Sequence, residues 1–164
     1  RNGAHKLLLS ASASNPRAHF TQTAKKNPLT APMFCMLLRK HLSGGKLVKV
    51  VQPGFERCLE FWIESYTELG DLTTKRLIIE IMGRYSNIIL AEEGGRILDS
   101  IKHIDVTVSS MRQVLPGLPY TPPPPQDKID ILRQRAVRIV AQAAHLPHDI
   151  LVERDAHFDF QWTV

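Results

Sequence analysis

The first 55 residues contain no aspartate or glutamate; the first carboxylate is Glu56. That segment carries nine lysines and arginines, whereas residues 56–164 carry twelve against sixteen carboxylates, so the net charge of +5 conceals a strongly basic first third. Such a segment is an electrostatic footprint for a polyanion or an anionic surface. Cysteine is scarce as well. Two residues, Cys35 and Cys58, cannot staple a chain of 164 residues, and each sits in an apolar run as a small buried hydrophobe would. No apolar stretch approaches the roughly 20 residues of a membrane-spanning helix. There is no GxGxxG, P-loop or GxSxG pattern, which removes the commonest nucleotide-binding and hydrolase signatures. No secretory leader is recognisable, and a chain opening at Arg1 reads as a fragment with sequence missing upstream.

With 43% apolar and 23% charged residues, the composition is that of a globular domain. Short strands are expected at 5–10 and 17–22. Thr30 and Pro32 punctuate the start of a helix over Met33–Leu42; Arg39, Lys40 and His41 suit its C-terminal dipole, and Ser43-Gly44-Gly45 ends it. Met33, Phe34, Met36, Leu37 and Leu38 read as its core-facing side. Beyond the helix the period changes to two, predicting strands at 46–52, 58–64, 75–82, 86–92 and 96–101. Pro53-Gly54, Gly70-Asp71, Gly83 and Glu93-Gly94-Gly95 supply turns between them. Sequential strands with short links give an α+β fold: an antiparallel β meander with one well-capped helix and one half-solvated sheet face. Residues 1–115 form this domain. A Pro-rich linker follows at 116–127, more plausibly a rigid spacer than a ligand for an SH3-like groove. Residues 128–164 read as a helical segment, with Ile129, Leu132, Ala136, Ile139 and Ala143 at helical spacing; it is either the start of a next module or a non-native tail.

The residues offer little that suggests catalysis. Glu92-Glu93 belongs to a turn. His145, His148, Asp149, Asp155, His157 and Asp159 are potential metal ligands, but the two histidines flank a proline and lack the i, i+4 pairing of zinc hydrolases, so no metal or cofactor is expected. Lys25, Lys26, Arg39, Lys40, Lys46 and Lys49 are candidates for a phosphate-contacting patch, since no acid within their stretch neutralises them. Glu56-Arg57, at a strand entrance after a turn, is either an exposed ion pair of little energetic weight or a directed contact to a phosphate or a base edge.

The run Pro32-Met33-Phe34-Cys35-Met36-Leu37-Leu38-Arg39-Lys40-His41-Leu42-Ser43-Gly44-Gly45 closely resembles the hallmark of the NFACT family. These proteins are the bacterial "fibronectin-binding protein A" homologues and RqcH-type ribosome quality-control factors. Leu7–Ser10 leading to Asn15-Pro16-Arg17, Glu80–Asn87, Asp99–His103 and Arg112–Tyr120 agree in the same order, so the likeness covers about residues 5–130. It is similar to the family's amino-terminal domain without its first fifty or so residues.

The resemblance implies a fold like the front domain of formamidopyrimidine-DNA glycosylases, without glycosylase chemistry. It implies a cytoplasmic, non-enzymatic role. Partners would be the large ribosomal subunit carrying peptidyl-tRNA, and tRNA (alanyl-tRNA in bacteria) recruited for untemplated carboxy-terminal tailing of the stalled chain. The family's Asp-Arg pair, which serves tRNA binding, falls on Glu56 and Arg57, where the acid is one methylene longer. A fibronectin-binding surface adhesin is the alternative; it requires export, which two unpaired cysteines disfavour. A base-excision enzyme is disfavoured because this chain's start supplies no amino-terminal nucleophile.

Overall fold

Alternation of apolar residues along the second half of the chain builds the main sheet. In a computed structural model that describes residues 6–23, 26, 28–54 and 56–124, five strands follow one another in an antiparallel meander. They are β3 (Lys46–Val51), β4 (Cys58–Tyr66), β5 (Leu72–Glu80), β6 (Asn87–Glu92) and β7 (Ile97–Ser100), lying side by side in chain order. A separate two-stranded sheet precedes them, formed by β1 (Lys6–Ser10) and β2 (Arg17–Thr21), and the helix α1 (Met33–Leu42) joins the two sheets in sequence. The α+β meander with one helix is therefore as the sequence pattern requires. The helical segment expected after residue 127, and the His/Asp cluster within it, lie outside the described residues.

One face of the sheet packs Phe61, Ile63, Leu77, Ile79, Ile88 and Leu90 against Phe34, Leu38 and Leu42 of α1, with Leu7, Leu9 and Ala18 of the hairpin closing the cluster. Removing each such side chain from water contributes on the order of 1.5–3 kcal/mol. Helical spacing accounts for the buried stripe Phe34, Leu38 and Leu42, with Cys35 beside it. Met33 and Met36, expected in that stripe, are 83% and 53% exposed. They fall outside the arc that this stripe turns toward the sheet. Thr30 forms no cap either: Pro32 occupies the N-cap position and no side chain caps the helix. At the other end Gly44 takes φ +69°. A Cβ on Gly45 would sit 2.7 Å from Ile63 Cγ2 and 2.9 Å from the Leu42 carbonyl oxygen, so only glycine allows β3 to leave the helix this closely.

The opposite face is less open than its mixture of polar and apolar residues suggests. Cys58, Ile78, Ile89, Ala91 and Ile97 form a second core with Val114, against which Ile104 and Tyr120 pack. The covering chain is anchored by backbone pairing. Ile104 and Val114 exchange hydrogen bonds of 3.0 and 2.8 Å, Gly117 N–H donates to the Ile97 carbonyl at 2.8 Å, and Tyr120 N–H donates to the Gly95 carbonyl at 2.7 Å. Pro116–Tyr120, the first part of the Pro-rich stretch, thus runs beside β7.

Candidate nucleic-acid interface

Arg57 enters β4 from a tight turn. Glu56 N–H donates to the Pro53 carbonyl at 3.1 Å, Gln52 Nε2 donates to the Glu56 carbonyl at 3.0 Å, and Gly54 supplies the required positive φ of 55°. The Arg57 carbonyl accepts from Ile81 N–H at 2.8 Å, which fixes the Arg57 backbone to the end of the sheet. Both side chains are exposed, and among the described residues neither makes an ion pair, with the other or with any neighbour. A rigid backbone therefore presents an unneutralised guanidinium to solvent, where its fork of donors suits a phosphate.

The same end of the sheet holds elements that the family stretches identify but charge patterning does not. Fully buried Asn87 grips the Lys102 backbone on both sides: Nδ2 donates to its carbonyl at 2.8 Å and Oδ1 accepts its N–H at 3.0 Å. Lys102 Nζ in turn donates to the Ala11 carbonyl at 3.0 Å and the Arg84 carbonyl at 3.2 Å. One lysine thereby ties the β1–β2 connection, the Gly83–Tyr85 turn and the Asp99–His103 stretch together. Arg84 stays exposed, its guanidinium 4.7 Å from the Tyr85 ring centroid. Beside this knot a groove of about 630 Å³ runs between Ala11–Ala13, Pro32–Cys35 and Asp99–His103. Its rim carries the His103–Asp99 pair at 2.6 Å.

The basic residues do not share one surface. Lys46 and Lys49 pair with Glu64 and Trp62 across β4, so a bulge at Val48 turns both onto the face away from α1. Lys49 Nζ lies 5.5 Å from the Trp62 ring centroid, and Arg76 covers the same ring at 5.0 Å. Arg39 and Lys40 project from the last turn of α1, which packs on the other face. Lys40 is within 3.8 Å of Glu68, an exposed pair of small energetic weight. Burial, with Lys75 and Lys40 adding repulsion, holds the His41 imidazole below its ordinary value, which favours its neutral form. Lys26 is exposed, and Lys25 lies outside the described residues. Two groups of cations thus flank the sheet, with Arg57 at its far end beside the turn that carries Arg84.

No cluster of three or more His, Cys, Asp or Glu residues able to hold a metal occurs among the described residues. None of the described helices is long and apolar enough to cross a membrane.

The fold defines an α+β domain, an antiparallel meander closed by one helix on one face and by a returning loop on the other. The chain belongs to the NFACT family: the family model described as "NFACT N-terminal and middle domains" matches residues 1–154, and so continues past residue 130. It is 51% identical over 128 residues to the Rqc2 homolog RqcH of Bacillus subtilis, a match covering 77% of this chain and 22% of that protein. The family thus includes ribosome quality-control factors of the RqcH type. Two solved structures share the fold. One is the N-terminal part of the fibronectin/fibrinogen-binding protein from Streptococcus suis (TM-score 0.75, 36% identity, 84% of this chain and 53% of that one). The other is the N-terminal domain of fibronectin-binding protein PavA from Streptococcus pneumoniae (TM-score 0.74, 35% identity, 84% and 56%).

Proposed function

We propose that this domain binds tRNA and the large ribosomal subunit within a cytoplasmic ribosome-associated quality-control factor. It would help recruit tRNA, alanyl-tRNA in bacteria, for untemplated tailing of stalled nascent chains. The carrying observation is Arg57, an exposed guanidinium without an ion-pair partner among the described residues, on a backbone pinned to the sheet end, where the family resemblance puts an acid-arginine pair. Arg84 on the neighbouring turn, and the cations on either side of the sheet, supply sequence-independent attraction to phosphates. The domain contributes binding and positioning, and the bond-forming chemistry belongs to the ribosome.

Fibronectin binding is the second reading, favoured by the two structural neighbours, which are named as fibronectin-binding proteins. One titration separates the two. Labelled tRNA and labelled fibronectin are each titrated against the protein from low to high salt. Binding of tRNA that weakens steeply with salt, with no fibronectin binding, supports the first reading; salt-insensitive fibronectin binding without tRNA binding supports the second.

A further inference from the structure

The sheet end that carries Arg57 also brings two hairpin connections together. Residues 11–16 join β1 to β2, and residues 81–86 join β5 to β6, beginning at Ile81, whose N–H meets the Arg57 carbonyl. Lys102 Nζ donates to the carbonyl of Ala11 in the first connection and to that of Arg84 in the second, so one ammonium nitrogen holds both. Gly83 gives a second sign of the contact: a Cβ there would lie 3.9 Å from the Ala13 carbonyl oxygen.

Arg17 stands at the end of the first connection, opposite Ser10 in the β1–β2 register. Its guanidinium folds back over that connection: Nη1 donates to the Asn15 carbonyl at 2.9 Å, and Nε donates to His19 Nε2 at 3.2 Å. Both acceptors are neutral, and Arg17 makes no ion pair among the described residues. Ser12, Ser14 and Asn15 are exposed beside it, and residues 11–16 contain no acid. Arg84 is steadied in a similar way, since its Nη2 donates to the Tyr85 hydroxyl at 2.5 Å and it too makes no ion pair among the described residues. The one carboxylate of the Asp99–His103 stretch is engaged by His103.

We propose that the two connections form one phosphate-binding ridge, with Arg17 as an RNA contact on the first, Arg84 as its partner on the second, and Lys102 as the positioning residue that holds them together. The proposal rests on the RNA-binding reading and extends it beyond Arg57 to a part of the chain in which charge patterning marks no site. A guanidinium oriented by neutral groups keeps its full charge and its remaining donors for an anion, and the sugar-phosphate backbone offers such anions at every step. Contacts of this kind position an RNA without reading its bases. The ridge therefore adds affinity and orientation, and leaves the choice of tRNA to other contacts.

The test titrates unfractionated tRNA into the 164-residue protein across a salt series, with the unfolding midpoint of each variant measured alongside. Arg17→Gln should weaken binding roughly fivefold at moderate salt and lower the slope of log affinity against log salt by about one, at an unchanged midpoint. Arg17→Lys should restore most of that slope, which a merely structural role would not require. Lys102→Met should weaken binding in the parent and have little further effect in Arg17→Gln/Arg84→Gln, because a positioning residue acts only through the groups it positions. An Arg17→Gln protein that binds tRNA as the parent does, while Arg57→Ala binds more weakly, would overturn the ridge and leave the RNA-binding reading standing. Equal losses from Lys102→Met in both backgrounds would overturn the positioning role. A parent protein that binds no tRNA would overturn the ridge and the RNA-binding reading together.

Discussion

Arg112 and Glu80, 32 residues apart in sequence, close a two-pronged ion pair on the covered face of the sheet: Nη1 donates to Oε2 at 3.0 Å, and Nη2 donates to Oε1. Glu80 is fully buried, and the Tyr120 hydroxyl gives its Oε1 another hydrogen bond at 3.0 Å. Arg112 Nε donates to the Thr121 carbonyl, so this pair clamps the returning loop, and the start of the Pro-rich stretch, onto β5. Breaking one partner leaves a buried charge. Arg112→Met is expected to cost about 3–5 kcal/mol, read as a lower midpoint in urea unfolding. The double variant Glu80→Leu/Arg112→Leu should be more stable than Arg112→Met alone; equal or greater loss would remove charge burial as the cause.

Cys58 gives a pH signature. Burial pushes its thiol up to about 11, partly offset by a contact of 3.8 Å to the Tyr120 hydroxyl. Unfolding releases the thiol to its ordinary value near 9, so between pH 9 and 11 the unfolded chain loses a proton that the folded chain keeps. Stability is therefore full below pH 9 and falls as pH rises through this window, by on the order of 2 kcal/mol. Tyr120, also raised chiefly by burial, adds to the fall above pH 10. Urea midpoints from pH 8 to 10 should decline in the parent protein and flatten in Cys58→Ala; identical slopes would exclude the thiol.

Gly45 is irreplaceable for steric reasons. An added Cβ would approach Ile63 Cγ2 to 2.7 Å and two backbone carbonyl oxygens to 3.0 Å or less. Gly45→Ala should lose roughly 1–3 kcal/mol, whereas alanine at Gly94, with nothing within 4 Å, should cost little. Thermal unfolding of the two variants makes the comparison.

The strands and turns were readable in sequence because β4 alternates, β1, β5 and β6 carry short apolar runs, and each turn from α1 to β7 carries a glycine at the bend. Gly44, Gly54, Gly70, Gly83 and Gly95 all take positive φ. Face assignments were less accessible. Met33 and Met36 look like core by hydrophobicity, yet the stripe through Phe34, Leu38 and Leu42 leaves them outside. The bulge at Val48, which puts Lys46 and Lys49 on one face, leaves no mark in a two-residue period. Nothing local in the sequence marks Glu80 as buried, because its partners, Arg112 and Tyr120, lie more than thirty residues away. At the candidate site, Glu56-Arg57 stood out as a charged pair at a strand entrance, but only the family likeness favoured the contact reading over the ion pair. Asn87, Lys102 and Arg84 lay within matching stretches, but their convergence depends on the sheet bringing both hairpin connections to one end.

The most direct test of the central claim is a salt series of tRNA binding to the protein with Arg57 replaced by alanine. Arg57 is exposed and makes no ion pair among the described residues, so Arg57→Ala should leave the unfolding midpoint within about 0.5 kcal/mol of the parent. Affinity for tRNA should fall about tenfold at moderate salt, and the slope of log affinity against log salt should decrease by about one phosphate contact. An unchanged tRNA affinity in a stably folded Arg57→Ala protein would contradict the account.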